Sequence, residues 1–273
     1  MIVDDEEGFK ALTRRVSRDA GLSLDAYKDK CLRRRLLVRM RACSVHTYAE
    51  YMSVLDRRPE EWDKLKDALT INVTRFYRNP ETWDRLRQDL LPELLRARQG
   101  RVQAWSAGCS SGEEPYTLAM LCAEAAESLG HASWAERVRI DATDIDRESL
   151  ERSTAARYPH AAFLEAPAWM TARYCDPTED GWQVRDAIRR MVTVRRLDLT
   201  REARPPASCD LILCRNVVIY FDRPTQERLF GQFAEALMPG GMLVLGKVET
   251  LRGAARERLT LVDARERIFR RPA

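Results

Sequence analysis

The residues with the clearest chemical potential lie in VQAWSAGCSSGEEPYTLAM, residues 102–120. An apolar run enters a Gly/Ser turn, and a helical pattern leaves it. Gly108 and Gly112 bracket Cys109, Ser110 and Ser111, and Glu113, Glu114 and Pro115 follow. Proline is tolerated in a first helical turn because the N–H it lacks would be unpaired there. A turn of this kind after a parallel strand is where open α/β sheets bind nucleotide-like ligands. Phosphate sites work through bare N–H groups and often a Lys, whereas two carboxylates at the mouth repel a pyrophosphate. They suit a ligand that is neutral or cationic at that point. S-adenosylmethionine, with a sulfonium, an α-amino group and no phosphate, is such a ligand.

Further acids fall where a sheet of this kind places them. Asp144 and Asp146, in ATDID, end the next apolar run, where an acid accepts hydrogen bonds from ribose hydroxyls or serves as a turn residue or helix cap. Asp198, in RRLDLT, ends a third run and can accept from an adenine amino group. Polar residues after a fourth run, in RNVVIYF from Arg215 to Phe221, are site candidates. Tyr220 among them either presents its hydroxyl to a substrate or packs as an aromatic. The absence of G-x-G-x-x-G argues against a dehydrogenase. The seven cysteines form no C-x-x-C pair and there are three His, so no metal site is expected.

These residues need a scaffold, and the pattern supplies one. Strands are expected at 102–107, 138–143, 192–197, 210–214 and 242–246, with helices at 115–129, 147–156 and 225–237. Pro239-Gly240-Gly241 reads as a turn before the fifth strand, and 259–262 with 268–270 as a closing antiparallel pair. Strands alternating with helices predict an α/β, doubly wound, Rossmann-like sheet with right-handed crossovers. Residues 158–191 exceed what one crossover needs and suggest a small excursion.

Upstream the chain reads as helical, with Phe9, Leu12 and Val16 on one stripe, Gly21 ending that helix, and further helices at 27–40, 47–55 and 60–68. The division expected is an all-helical domain at 1–69, a connector and linking helix at 70–100, and the sheet domain at 101–273. The connector LTINVTRFYRN is too polar for a core strand and precedes a long helix at 81–99; it is either a plain linker or a segment lying over something. One helix is strongly basic. Lys28, Lys30, Arg33, Arg34, Arg35, Arg39 and Arg41 face a single anion, Asp29. Such a run is a solvated face or a docking face for an acidic partner, and the absence of interleaved aromatics favours protein over nucleic acid.

The 273 residues carry a net charge of +4, with 45% hydrophobic and 32% charged residues, as expected of a globular chain with an ample core. No basic leader followed by an apolar run opens it, and no apolar run approaches the ~20 residues of a membrane span. A cytoplasmic protein with reduced thiols, not inserted in a membrane and monomeric, is the expectation.

The ordered motifs LTINVTRFYRNP, AGCSSGEEPYT, ATDID, LCRNVVIYF and MPGGMLVLG with Glu249 after it, together with the basic helix, resemble the CheR family over nearly the whole chain. These are S-adenosylmethionine-dependent methyltransferases acting on glutamates of bacterial chemoreceptors. The resemblance implies a class I methyltransferase sheet with an N-terminal all-helical domain and a small β-subdomain at 158–191. It implies S-adenosylmethionine as cofactor and S-adenosylhomocysteine as product. It carries the cofactor site to Asn72, Thr74, Arg78, Glu114, Asp144, Asp198, Leu199, Asn216 and Val217, beside the Gly108 turn. Arg78 and Tyr220 would lie next to the transferring methyl, making the connector a lid. Glu114 is then expected on the cofactor's amino group, with Glu113 only a first-turn acid favoured by the helix dipole. The basic face 28–41 would meet acidic methylation helices of a chemoreceptor. A non-catalytic binder of the same cofactor, or a methyltransferase of another acceptor, is the alternative. The family commonly has Phe-Phe-Arg where this chain has Phe76-Tyr77-Arg78, Asn-Leu where it has Asp198-Leu199, and a small or polar pair where it has Lys247-Val248.

Overall fold

A computed structural model of the chain describes residues 5–70, 73–201, 206 and 208–273. By packing it divides into two units: residues 1–72 with Tyr220–Thr225, and Val73–Ile219 with Gln226–Ala273.

The first unit is helical: α1 Glu6–Ala20, α2 Asp29–Ala42, α3 Tyr48–Arg57 and α4 Pro59–Leu69. Each boundary has a local cause. Asp5 caps the start of α1, and Gly21 ends it at φ 68°. Thr47 and Glu50 form a capping box at the start of α3, and Pro59 opens α4. Phe9, Leu12, Val16, Leu32, Leu36, Met40, Tyr48, Tyr51, Leu55 and Leu65 fill the core. The stretch 220–222 is stitched in by backbone bonds, Lys28 N to Tyr220 O at 2.9 Å and Asp222 N to Ala26 O at 2.9 Å. Tyr27 meets Phe221 edge to face at 5.1 Å.

The second unit begins with a continuous helical run: α5 Pro80–Arg85, a π turn Leu86–Leu90, and α6 Leu91–Ala97. The single helix expected at 81–99 therefore contains a π segment. Its last bond, Leu91 N to Leu86 O, reaches back five residues just before Pro92, which has no N–H to give. The sheet strands are β1 Val102–Ala107, β2 Val138–Asp144, β6 Val192–Arg196, β7 Cys209–Cys214, β8 Leu237–Leu245, β9 Thr260–Asp263 and β10 Ile268–Arg270. Their order is β6-β2-β1-β7-β8-β10-β9. The first five are parallel, and β10 runs antiparallel to both neighbours. Helices α7 Glu113–Ser128, α8 Arg147–Ala155 and α11 Arg223–Ala236 make the main crossovers. β3 Arg157–Pro159, β4 Cys175–Pro177 and β5 Gly181–Val184 form a separate antiparallel sheet, with α9 Ala168–Tyr174 between β3 and β4 and α10 Asp186–Arg189 after β5.

Pro239-Gly240-Gly241 is not a turn before a strand; β8 runs through it. The register with β7 shifts between Cys209 and Leu211, and this irregularity absorbs Gly240 at φ 77°. Bonds from Gly240 N to Arg271 O and from Arg271 N to Gly241 O hold the other edge.

The order of strands across the sheet reverses at β1: the chain steps outward from it through β2 to β6, then returns to its other side at β7 and goes on to β8. The crevice at the carboxyl ends of β1 and β7 is thus the topological switch point, where sheets of this class bind ligands.

Candidate active site

The β1 turn meets that crevice directly. Gly108 has φ 84°, and a Cβ there would overlap Val217 Cγ2 in the loop after β7. Gly108 N and Cys109 N both donate to Thr143 O at the end of β2, at 2.8 and 3.0 Å. Ser110 N donates to Asp144 Oδ2 at 2.8 Å, and Asp146 N to Asp144 Oδ1 at 3.0 Å. Within residues 104–126 every residue is buried except Gly108 and Glu114, which stay partly open. The sequence has closed this stretch everywhere but at the two positions that would face a ligand.

Glu114 is the carboxylate at that opening. Its Oε1 accepts from Ser106 Oγ at 2.8 Å, and its Oε2 lies 3.4 Å from the buried Arg215 guanidinium. Burial raises its pKa, and Arg215 opposes the rise. Glu113 instead accepts from Ser111 Oγ at 2.8 Å and is buried in the helix start. Burial also raises Asp144, opposed by the N–H groups of Asp146 and Ser110. Two desolvated acids, Glu114 just after the β1 turn and Asp144 bonded to that turn through Ser110 N, fit a ligand carrying positive charge and hydroxyls. The groups of S-adenosylmethionine meet that requirement.

Residues 73–79 belong to this unit and are fastened at several points. Phe76 N donates to Ala162 O, and its ring stacks on Phe163 at 3.9 Å. Tyr77 N donates to Thr117 Oγ1 at 3.2 Å, and Tyr77 OH to Asp84 at 2.6 Å. Tyr77 and Asn79 hold φ of 60° and 61°, a region Asn tolerates but one that is rare for an aromatic. Arg78 O accepts from Arg215 Nη2 at 2.8 Å, and Arg78 Nη1 donates to Val73 O at 2.7 Å. Arg215 therefore joins the connector to Glu114. Thr74 is half-buried.

The remaining expected residues divide. Asn216 and Val217 sit after β7, with Asn216 at φ 60°. Asp198 and Leu199 follow β6; Asp198 accepts from Thr200 N at 2.8 Å and pairs with Arg201 at 3.4 Å. Asn72 lies outside the described residues. Tyr220 packs in the helical unit, its ring 4.5 Å from the Arg35 guanidinium carbon.

Reading the residues left Ser106 and Glu249 without roles, and held Arg215 only as one of a stretch of site candidates. Glu249 is 2% exposed and accepts from Gly246 N at 2.5 Å, Val217 N at 2.9 Å and Asn216 N at 3.1 Å. It fixes the loop that carries two expected cofactor residues. An acid four residues past the end of an apolar strand was the available signal.

The raised acids set a pH dependence. A carboxyl whose folded pKa is raised holds its proton more tightly in the folded chain, so its contribution to stability is full at low pH and is lost as pH rises through the folded value. A ligand that needs the ionised acids behaves oppositely. Cofactor affinity is expected to fall on acidification through the raised carboxyl range, with proton release on binding there. Melting scans with and without S-adenosylmethionine check this: the ligand-induced gain should shrink with acid while the free protein is not correspondingly destabilised. A gain independent of pH would separate these acids from the ligand.

A sheet in this order, with its antiparallel β10 between β8 and β9 and its acids at the β1 and β2 ends, defines a class I methyltransferase. Residues 72–268 match the family model described as CheR methyltransferase, SAM binding domain, and residues 7–70 match CheR methyltransferase, all-alpha domain. The chain belongs to the CheR methyltransferase family. The chemotaxis protein methyltransferase of Klebsiella aerogenes is 33% identical over 256 residues, covering 91% of this chain and 85% of that protein. That of Listeria monocytogenes is 33% identical over 251 residues, covering 92% and 93%. Chemotaxis protein methyltransferase 2 of Pseudomonas aeruginosa is 35% identical over 248 residues, covering 89% and 86%. Among the described residues no helix is long and apolar enough to cross a membrane.

Proposed function

We propose that this protein transfers the methyl group of S-adenosylmethionine to glutamate side chains of chemoreceptors in the cytoplasm, giving methyl esters in chemosensory adaptation. The observation that carries the reading is the partly open pair Gly108 and Glu114 in an otherwise closed run, beside Asp144. Glu114 would hold the cofactor's amino group, Asp144 its ribose hydroxyls and Asp198 its adenine amino group, with Thr74, Leu199, Asn216 and Val217 lining the remainder and Asn72 joining them. Bound there, S-adenosylmethionine supplies an electrophilic methyl on a sulfonium.

The chain's own task is alignment. An acceptor glutamate, with a reference pKa of about 4.3, is already ionised at neutral pH, so no general base is required of the protein. Arg78 would anchor that carboxylate: its Nη1 donates to Val73 O, and among the described residues its other guanidinium N–H groups make no hydrogen bond. Too tight a pair would blunt the nucleophile, so its role is orientation and not charge neutralisation. Tyr220, three residues beyond Val217 in the chain, would align the acceptor. Replacing Arg78 with Ala is expected to lower kcat/KM for a receptor fragment by about 100-fold, and unchanged turnover would remove the anchoring role.

The basic helix contributes less than its seven cations suggest. Arg33 pairs with Glu6, Arg35 bonds Leu69 O and Arg39 grips Glu61 at 2.8 and 2.9 Å. Lys28, Lys30, Arg34 and Arg41 are exposed. These four would steer an acidic receptor helix. Charge reversal at Lys30, Arg34 and Arg41 together is expected to raise KM for the receptor about tenfold at low salt. Wild-type KM should itself rise with ionic strength, and a salt-independent KM would argue against docking by this face.

The test of the function is incubation with labelled S-adenosylmethionine and receptor cytoplasmic fragments. Base-labile label on glutamate is expected. Tight cofactor binding with no transfer would favour a sensor of the cofactor, and label on another acceptor would redirect the substrate.

A further inference from the structure

Arg78, the residue assigned to the acceptor carboxylate, stands between two backbone reversals, Tyr77 at φ 60° and Asn79 at φ 61°. The peptide between Arg78 and Asn79 can relax the second reversal by flipping, a motion confined to ψ of one residue and φ of the next. That peptide is gripped at both ends. Its carbonyl, Arg78 O, accepts from Arg215 Nη2 at 2.8 Å and from Trp83 Nε1 at 3.0 Å. Its N–H, on Asn79, donates to Glu165 Oε2 at 3.3 Å. Glu165 reaches there from the excursion that carries β3, β4 and β5, in a turn closed by Ala166 N to Phe163 O at 3.0 Å. The same few residues hold the connector again: Ala162 O accepts from Phe76 N at 3.0 Å, and the Phe163 ring stacks on Phe76 at 3.9 Å. Arg75 Nη1 lies 3.1 Å from Glu165 Oε1, which orients the carboxylate and leaves Oε2 to Asn79. These grips at residues 75, 76 and 79 bracket Arg78. The Arg75 and Glu165 side chains are 49% and 32% exposed, and an ion pair so placed adds little to folding stability. Its value lies in geometry, because one carboxylate spans the connector from residue 75 to residue 79.

We propose that Glu165 is a positioning residue for methyl transfer: it locks the peptide between Arg78 and Asn79 against flipping, and so holds the Arg78 guanidinium where an acceptor carboxylate meets the transferring methyl. This rests on the role of Arg78 proposed above. With the lock released, the peptide turns over for part of the time, Arg78 is misdirected in that fraction, and turnover falls with the competent population. Glu114 and Asp144, the acids proposed for the cofactor, stand on α7 and β2 and do not move with the flip.

Methylation kinetics with a receptor cytoplasmic fragment test this. Glu165→Ala is expected to lower kcat/KM about tenfold, with cofactor Kd and melting temperature close to wild type. Glu165→Gln keeps an acceptor for Asn79 N and should retain most of the activity. In an Arg78→Ala background, Glu165→Ala should cost less than about twofold more, because the group it positions is gone. A Glu165→Ala protein within about twofold of wild type overturns the inference, as does an equal loss in both backgrounds. So does a loss matched by cofactor Kd, or a Glu165→Gln protein as poor as Glu165→Ala. Absence of glutamate ester with the wild-type protein, or full activity of Arg78→Ala, overturns the proposed function or the role of Arg78 and this inference with it. A crippled Arg78→Ala beside a fully active Glu165→Ala overturns the lock alone.

Discussion

Replacing Asp144 with Asn is expected to weaken S-adenosylmethionine binding by about 100-fold or more, because two carboxylate–hydroxyl bonds of about 1.5–3 kcal/mol each are lost or reduced to neutral ones. The carboxylate also has an internal duty. Its two oxygens receive Ser110 N and Asp146 N, so it shapes the β1 turn from the neighbouring strand. Asn keeps one acceptor oxygen and presents an amide NH2 in place of the other. Calorimetric affinity and melting temperature of the free variant separate the two duties. A large affinity loss with little change in melting temperature assigns Asp144 to the ligand. Parallel losses in both, or an affinity within about tenfold of wild type, would leave it as a turn brace.

Glu249→Ala is expected to cost about 3 kcal/mol or more of stability, since Gly246 N, Asn216 N and Val217 N would lose a buried acceptor at about 1–3 kcal/mol each. For a domain of this size that corresponds to a fall in melting temperature of roughly 6–12 °C. Cofactor binding should weaken with it, because the same loop presents Asn216 and Val217. Glu249→Gln retains a single acceptor and should fall between. Burial raises the Glu249 pKa against the pull of those N–H groups. A variant that loses less than about 1 kcal/mol would show that the loop is fixed by other means.

The motifs were legible because each is a contiguous string whose local geometry follows from its own residues. The Gly108 turn with its first-turn acids, and Gly21 at the end of the first helix, need no distant partner to be recognised. What escaped reading depends on residues far apart in sequence. Glu249 is 32 and 33 residues from the backbone groups it holds at Val217 and Asn216. The partners of Arg33, Arg35 and Arg39 lie 27, 34 and 22 residues away, so a run of cations on one helix could not be divided into inward and outward members beforehand. The π turn before Pro92 and the passage of β8 through Pro239 share a cause. A residue that usually ends an element was kept inside one, because the i→i+5 bond in the first case and the edge bonds with Arg271 in the second replaced what proline or glycine removes.

The stitching of Tyr220–Thr225 into the helical unit carries a consequence for how such a protein can be divided. That unit is made from two stretches of chain, and the second is borrowed from the loop that follows β7. Phe221, 4% exposed, the ring of Tyr220 and the carbonyl and amide bonded by Lys28 and Ala26 all depend on the first stretch. The helical part is therefore not a detachable cassette. Exchanging it between relatives, or expressing the remainder without it, would strip the covering from Tyr220, a residue proposed to align the acceptor. Grafts that aim to redirect receptor choice have to carry both stretches together.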